Sequence, residues 1–234
     1  RLTKSTFHLG VGTGENMNEG PLGYDFPKYD ERASRMRAAF SIIRRLLNGE
    51  KLDYEGDYYN TKGARLYSPP LKEVPIWLAA GGPKSSHLAA EFADGLMISV
   101  KDPEDAYERV INPAQIKTDE LGKSKLRVHT YRWTMFAQND DDAWESLKSW
   151  RGLRAPNRLQ EIDPQALREQ ADALPKEEIM SKFSRAGTID ELVDIYSPLV
   201  DDFGSEIVTI QISSVDQEET IKLLGKELLP RLKK

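Results

Sequence analysis

FHLGVGTGENMN, residues Phe7 to Asn18, is the stretch on which the reading of this chain turns. Phe7, Leu9 and Val11 alternate with smaller or polar residues, the period of a buried strand. The strand runs into Gly10, Gly12 and Gly14, and glycine lets backbone come close to a ligand or take a positive φ at no steric cost. A carboxylate, Glu15, follows at once. The C-terminal end of a strand is where parallel α/β enzymes place their chemistry. A carboxylic acid buried beside a ring and away from cations would have its pKa raised, which suits Glu15 to general-acid work. Asn18 is placed to orient a ligand carbonyl.

Outward from this stretch, strands and helices alternate. Lys28 to Asn48 reads as a helix, with Met36, Phe40, Ile43 and Leu47 on one face and Asn48-Gly49 as its stop. Residues 52–70, LDYEGDYYNTKGARLYSPP, read as a hairpin insertion. Val74 to Ala80 is a nearly continuous apolar run, as expected of a strand buried on both faces. Gly81-Gly82-Pro83 ends it, and Lys84 to Phe92 reads as a helix. Asp94 to Val100 is a strand, Pro103 to Leu121 a helix and Leu126 to Ala137 a strand. Asp140 to Trp150 is a helix with Asp140 or Asp141 near its N-cap. The segment 151–183 is polar, carries Pro156, Pro164 and Pro175, and reads as a helical insertion. Thr188 to Phe203 is an amphipathic helix in which Thr188 and Glu191 complete a capping box. Glu206 to Ser213 and Asp216 to Leu232 are the last strand and helix. Five strand–helix units of this kind mean an α/β fold with a parallel sheet, either an open doubly wound sheet or a closed (β/α)8 barrel.

The 234 residues are enough for one large core or two small ones. A net charge of −5 argues against general nucleic-acid binding. There is no cysteine, which removes disulfides and thiolate metal sites. No apolar run approaches the roughly 20 residues a membrane helix needs, and the opening Arg-Leu-Thr-Lys lacks the apolar core of a signal peptide. The expectation is a soluble cytoplasmic protein. The chain does not begin with Met, and reads as a processed chain or a fragment.

Each motif has a plainer alternative. GVGTG supplies the GxG start of a dinucleotide fingerprint, but Glu15 stands where the third glycine is needed, and no acidic residue ends a second strand. A tight strand-to-loop turn is the alternative. Gly81-Gly82-Pro83 opens a helix, where backbone N–H groups can meet a phosphate, or where an ordinary βα turn needs small residues. His8, His87 and His129 have no metal-ligand spacing, and His8 and His129 read as satisfied core residues. No GxSxG elbow is present. Lys101, Arg158 and Lys182 are isolated cations that spacing alone reads as solvated. The four tryptophans read as packing residues.

Taken together, several stretches resemble the luciferase-like flavin and deazaflavin oxidoreductase superfamily. These are residues 9–19, residues 29–50, YEGDYYNTKGARLYSPP at 54–70, PIWLAAGGP at 75–83 and ADGL at 93–96. ADALPKEEI at 171–179 and LLPRLKK at 228–234 complete the set. Within that superfamily they are most similar to the group containing F420-dependent glucose-6-phosphate dehydrogenase. The resemblance implies a (β/α)8 TIM barrel in one domain over residues 1–234, with this chain covering strands 4 to 8. It implies a longer native protein, or one completed by another polypeptide, since a barrel lacking strands exposes two edges. It also implies Glu15 as proton donor and Gly12, Thr13, Gly14, Asn18, Gly81 and Gly82 as contacts of coenzyme F420. Lys101, Arg158 and Lys182 would then hold a phosphorylated substrate, with Arg158 and Lys182 exchanged in type relative to the group's pattern. A homodimer is a further expectation. The alternatives left open are an FMN-dependent monooxygenase and a truncated or non-catalytic binding module.

Overall fold

The computed structural model describes residues 5–232. The Arg-Leu-Thr-Lys opening and the last two residues of the LLPRLKK motif lie outside them.

In chain order the first elements are β1 (Leu9–Val11), α1 (Asn16–Glu19), α2 (Tyr29–Leu47), β2 (Leu52–Glu55), β3 (Asn60–Ala64), β4 (Ile76–Ala79), α3 (Pro83–Phe92) and β5 (Gly95–Ser99). Then come α4 (Pro103–Ala106), α5 (Asn112–Glu120), β6 (Arg127–Phe136), α6 (Asp140–Ser146), α7 (Pro164–Asp172), α8 (Lys176–Met180) and β7 (Ser184–Ala186). α9 (Ile189–Asp201), β8 (Ile207–Ser213), α10 (Gln217–Leu223) and α11 (Leu229–Leu232) close the chain. β2 and β3 form an antiparallel hairpin, and the other strand pairs are parallel. The protein is therefore an α/β fold with a mostly parallel sheet. β1, β7 and β8 each pair with one strand among the described residues.

Two compact units emerge. Among the described residues, the first gathers 5–14, 27–97 and 108–127. Here β4 pairs with β1, Leu9 opposite Ile76, and with β5, Trp77 opposite Gly95. Ile76, Trp77 and Leu78 are fully buried, as their continuous apolar run requires. α2 turns only Ala33 and Phe40 fully inward and ends at Gly49, whose φ of +79° is open to glycine at little cost. Asp94 ties the unit together: its Oδ2 accepts from Arg44 Nη1 and from the Ile76 amide, both at 2.8 Å.

The second unit gathers residues 15–26, 98–107 and 128–232. β6 pairs with β8 from His129 opposite Ile207 to Met135 opposite Ser213, and with β7 at Thr134 opposite Ser184. Its core joins Met135 and Ala137 to Leu147, Leu167 and Ile179, with Trp133, Trp144 and Trp150 packed against it. α9 begins with the capping box read from the sequence: the Glu191 amide donates to Thr188 Oγ1, and the Thr188 amide to Glu191 Oε2, both at 3.2 Å.

Three readings need correction. α6 is capped by Asn139, whose Oδ1 accepts from the Asp142 amide at 2.9 Å, not by Asp140 or Asp141. The helices expected over 103–121 and 216–232 are each interrupted by a five-residue π turn, Tyr107–Ile111 and Leu224–Leu228. Both π turns end two residues before a proline, Pro113 and Pro230. A proline has no N–H for the carbonyl four residues back, so the helix widens ahead of it. β7 and α1 were not legible in the sequence.

Candidate functional site

The glycine loops belong to the first unit. β1 leads into Gly12, Thr13 and Gly14. Gly14 has φ +88°, a region that side chains disfavour. Arg32, on α2, holds this loop from below: its Nη1 donates to Gly14 O at 3.1 Å and to Thr13 O at 3.3 Å, and its Nε donates to Pro27 O at 3.1 Å. Nothing local in the sequence flags Arg32, which lies 18 residues from the loop it fixes.

The Gly81-Gly82 turn lies between β4 and α3. Both glycine amides donate to Ser85 Oγ, at 3.1 and 3.3 Å, and that hydroxyl donates back to Gly82 O at 2.9 Å. The two N–H groups that the sequence offered to a phosphate are thus occupied by Ser85. A Cβ built on either glycine would meet no atom within 4 Å, and neither glycine has a positive φ. Neither internal packing nor backbone strain calls for glycine at these two positions. Open space over exposed backbone is what close approach by a ligand requires.

Glu15 opens the second unit's part of the chain as the N-cap of α1, with its carbonyl accepting from the Asn18 and Glu19 amides at 3.0 and 3.2 Å. General-acid work through a raised pKa would need burial away from cations, and a surface loop acid is the plainer alternative. The structure instead leaves its side chain half exposed, with Oε1 2.8 Å from Arg158 Nη2. A second bridge joins the same segments: Asn16 Nδ2 donates to Gln160 O at 3.0 Å. Asn18 is exposed in α1, and its side chain makes no hydrogen bond among the described residues.

Around Arg158 the structure assembles cations. Arg154, which the sequence reading passed over, stacks its guanidinium over the Phe183 ring at 5.2 Å. Burial pushes its pKa down, and the positive charge of Arg158 adds to that. Lys182 Nζ donates to Arg154 O at 3.3 Å and lies 3.4 Å from Glu178 Oε1. Tyr131 on β6 feels Glu15, Arg158 and Arg154. Burial raises its pKa first, the Glu15 charge raises it further, and Arg158, Arg154 and a hydrogen bond from Ser99 draw it back. The structure thus brings Glu15, Arg158 and Lys182 into one neighbourhood with Arg154. Lys101 is not part of it: it is exposed on the turn after β5, without an ion pair among the described residues. No local signal pairs Arg154 with Arg158, because residues 151–160 form a 3-10 turn and further turns rather than an α-helix.

His8 Nδ1 accepts from Trp77 Nε1, and His129 Nε2 meets Thr209 Oγ1, both at 2.8 Å, so both are satisfied packing residues as read. Among the described residues no group of three or more His, Cys, Asp or Glu could hold a metal ion, and no helix is long and apolar enough to cross a membrane.

A family model for luciferase-like monooxygenases matches residues 2–201. An F420-dependent glucose-6-phosphate dehydrogenase of Microbacterium testaceum is 34% identical over 231 residues, spanning 97% of this chain and 68% of that protein. Among solved structures, an F420-dependent secondary alcohol dehydrogenase in complex with an F420–acetone adduct matches with a TM-score of 0.88 at 25% identity. That match covers 100% of this chain and 72% of the other. The F420-dependent tetrahydromethanopterin reductase from Methanopyrus kandleri shares the fold, with a TM-score of 0.76 at 23% identity over 97% of this chain and 74% of its own.

Proposed function

This chain belongs to the luciferase-like monooxygenase family, and from that premise we propose that it is an oxidoreductase transferring a hydride between coenzyme F420 and an alcohol or carbonyl substrate. The observation that carries the proposal is the 34% identity to an F420-dependent dehydrogenase, sustained over 97% of the chain. The parallel strands are read as the later strands, from about the fourth, of a (β/α)8 barrel, with residues 151–183 inserted. The protein is taken to act in the cytoplasm, as a homodimer, on a small molecule.

The residues fit the cofactor on one structural ground: Gly81 and Gly82 leave open a space that any side chain would fill. Together with Gly12, Thr13, Gly14 and Asn18 they are assigned to holding it. When bound, coenzyme F420 supplies the carbon that accepts or gives the hydride. Glu15 is assigned to hold or move a proton, and without substrate its carboxylate rests on Arg158 through the 2.8 Å contact. Arg158 and Lys182 are assigned to an anionic group of the substrate, a sugar phosphate such as glucose 6-phosphate; Lys101, outside their neighbourhood, is left out of that assignment. The protein's share of catalysis is then position and charge.

A fluorescence titration of coenzyme F420, with FMN in parallel, tests the assignment. Tight binding of F420 that weakens in Gly82→Trp supports it. Preference for FMN would move the chain to the oxygen-activating members of the family, and binding of neither would leave a non-catalytic module.

A further inference from the structure

We infer that Glu15 and an oxyanion on the ligand compete for the same guanidinium, so that an anion bound at the cation cluster of Arg154, Arg158 and Lys182 releases the Glu15 carboxylate from its partner. The ion pair and the cation cluster stand on geometry alone; that the released carboxylate takes part in turnover rests on the oxidoreductase reading.

The two arginines are short of partners. The Nε atoms of both Arg154 and Arg158 are buried without a hydrogen bond, and no carboxylate pairs with Arg154 among the described residues. Because Arg158 Nε is closed to solvent, the only fork that Arg158 can offer to a bidentate oxyanion is its Nη1–Nη2 edge. Glu15 Oε1 sits on Nη2 at 2.8 Å. Arginine grips carboxylates and phosphates through two parallel N–H bonds, and one edge cannot serve two such partners. The cations number three, Arg154, Arg158 and Lys182. The carboxylates touching them are Glu15 and Glu178, the latter at 3.4 Å from Lys182. An incoming phosphoryl group would replace Glu15 as counter-ion to Arg158 and add a partner for Arg154. Glu15, half exposed, would turn toward solvent or toward whatever lies beside it. The ion pair is thus an internal competitor that partly offsets the cluster's charge until an anion arrives. In the oxidoreductase reading, it couples occupancy by an anionic substrate to the freedom of the proton-carrying acid.

Calorimetric titration with inorganic phosphate tests this on the parent protein and on Glu15→Gln, Arg158→Lys and the double variant. Thermal melts confirm that each is folded. Deleting the competing charge is expected to tighten phosphate binding about fivefold, the size of a partly exposed ion pair. The gain should vanish on the Arg158→Lys background, where the fork is gone. Methyl phosphate should follow inorganic phosphate, and dimethyl phosphate should not, as expected of a terminal phosphoryl group on a substrate. Unchanged or weaker phosphate binding by Glu15→Gln would overturn the inference, as would a gain that persists without the Arg158 fork. An equal response to dimethyl phosphate would overturn the assignment to a terminal group. None of these outcomes depends on coenzyme F420, so failure here and failure of the cofactor reading are separable.

Discussion

Arg158 Nη2 lies 2.8 Å from Glu15 Oε1, joining the carboxylate that follows the glycine loop to a cation 143 residues later in the chain. Both charges act on Tyr131, and in opposite directions: Glu15 raises its pKa and Arg158 lowers it. Removing each partner should therefore move the phenol oppositely. Glu15→Gln is expected to lower the Tyr131 pKa and Arg158→Met to raise it. Ultraviolet difference titrations against the same variants carrying Tyr131→Phe isolate this phenol. Shifts of the same sign in both variants would contradict the arrangement.

Gly81 and Gly82 face open space and need no special backbone conformation. Gly82→Val is therefore expected to melt within about 0.5 kcal/mol of the parent, as surface changes do, while cofactor binding falls at least tenfold. Equilibrium unfolding and a cofactor titration on the same sample check the pair of outcomes. Loss of stability with unchanged binding would make this an ordinary βα turn.

Gly14 behaves differently. Its φ of +88° disfavours any side chain, and Gly14→Ala should cost about 1–2 kcal/mol in urea unfolding. Thr188→Ala, which removes one half of the α9 capping box, should cost about 1 kcal/mol. The two sites lie in different units and share no partner, so the double variant should show the sum.

Tyr196 is fully buried, with its hydroxyl donating to Arg132 O at 3.0 Å and 2.9 Å from Thr134 Oγ1. Burial pushes its pKa from 10.0 up to about 12. Above pH 10 the unfolded chain has lost this proton while the folded protein still holds it. The folded state then binds more protons, and stability falls as pH rises from 10 through about 12. Tyr196→Phe should lose about 1–2 kcal/mol at neutral pH from the broken hydrogen bonds. It should also show a shallower alkaline decline than the parent. Parallel declines would remove Tyr196 from the alkaline transition.

What the sequence made legible was what has a local period or a local partner. Thr188 and Glu191 stand three apart and form their box; Val74 to Ala80 is apolar throughout and Ile76 to Leu78 are buried; the Gly-punctuated aromatic stretch is the β2–β3 hairpin. What escaped had no local signature. The Asn139 cap was hidden behind the acids at 140–142, which look like caps themselves. β7 is three residues, Ser-Arg-Ala, too short and too polar to show alternation. The π turns follow from prolines that helical periodicity does not register. In the candidate site, Glu15, Arg158 and Lys182 were named from sequence. Arg32 and Arg154 were missed because long side chains meet backbone and ring partners that only folding supplies. The solvated reading of Arg158 failed for the same reason: its partner is 143 residues away.

The most direct test of the central claim is an anaerobic assay of the purified protein, following loss of oxidised coenzyme F420 with glucose 6-phosphate and with a simple secondary alcohol. The account predicts consumption of F420 in step with substrate oxidation, without need of oxygen, and its loss in Glu15→Gln. Turnover that requires FMN and oxygen, and leaves F420 untouched, would contradict it.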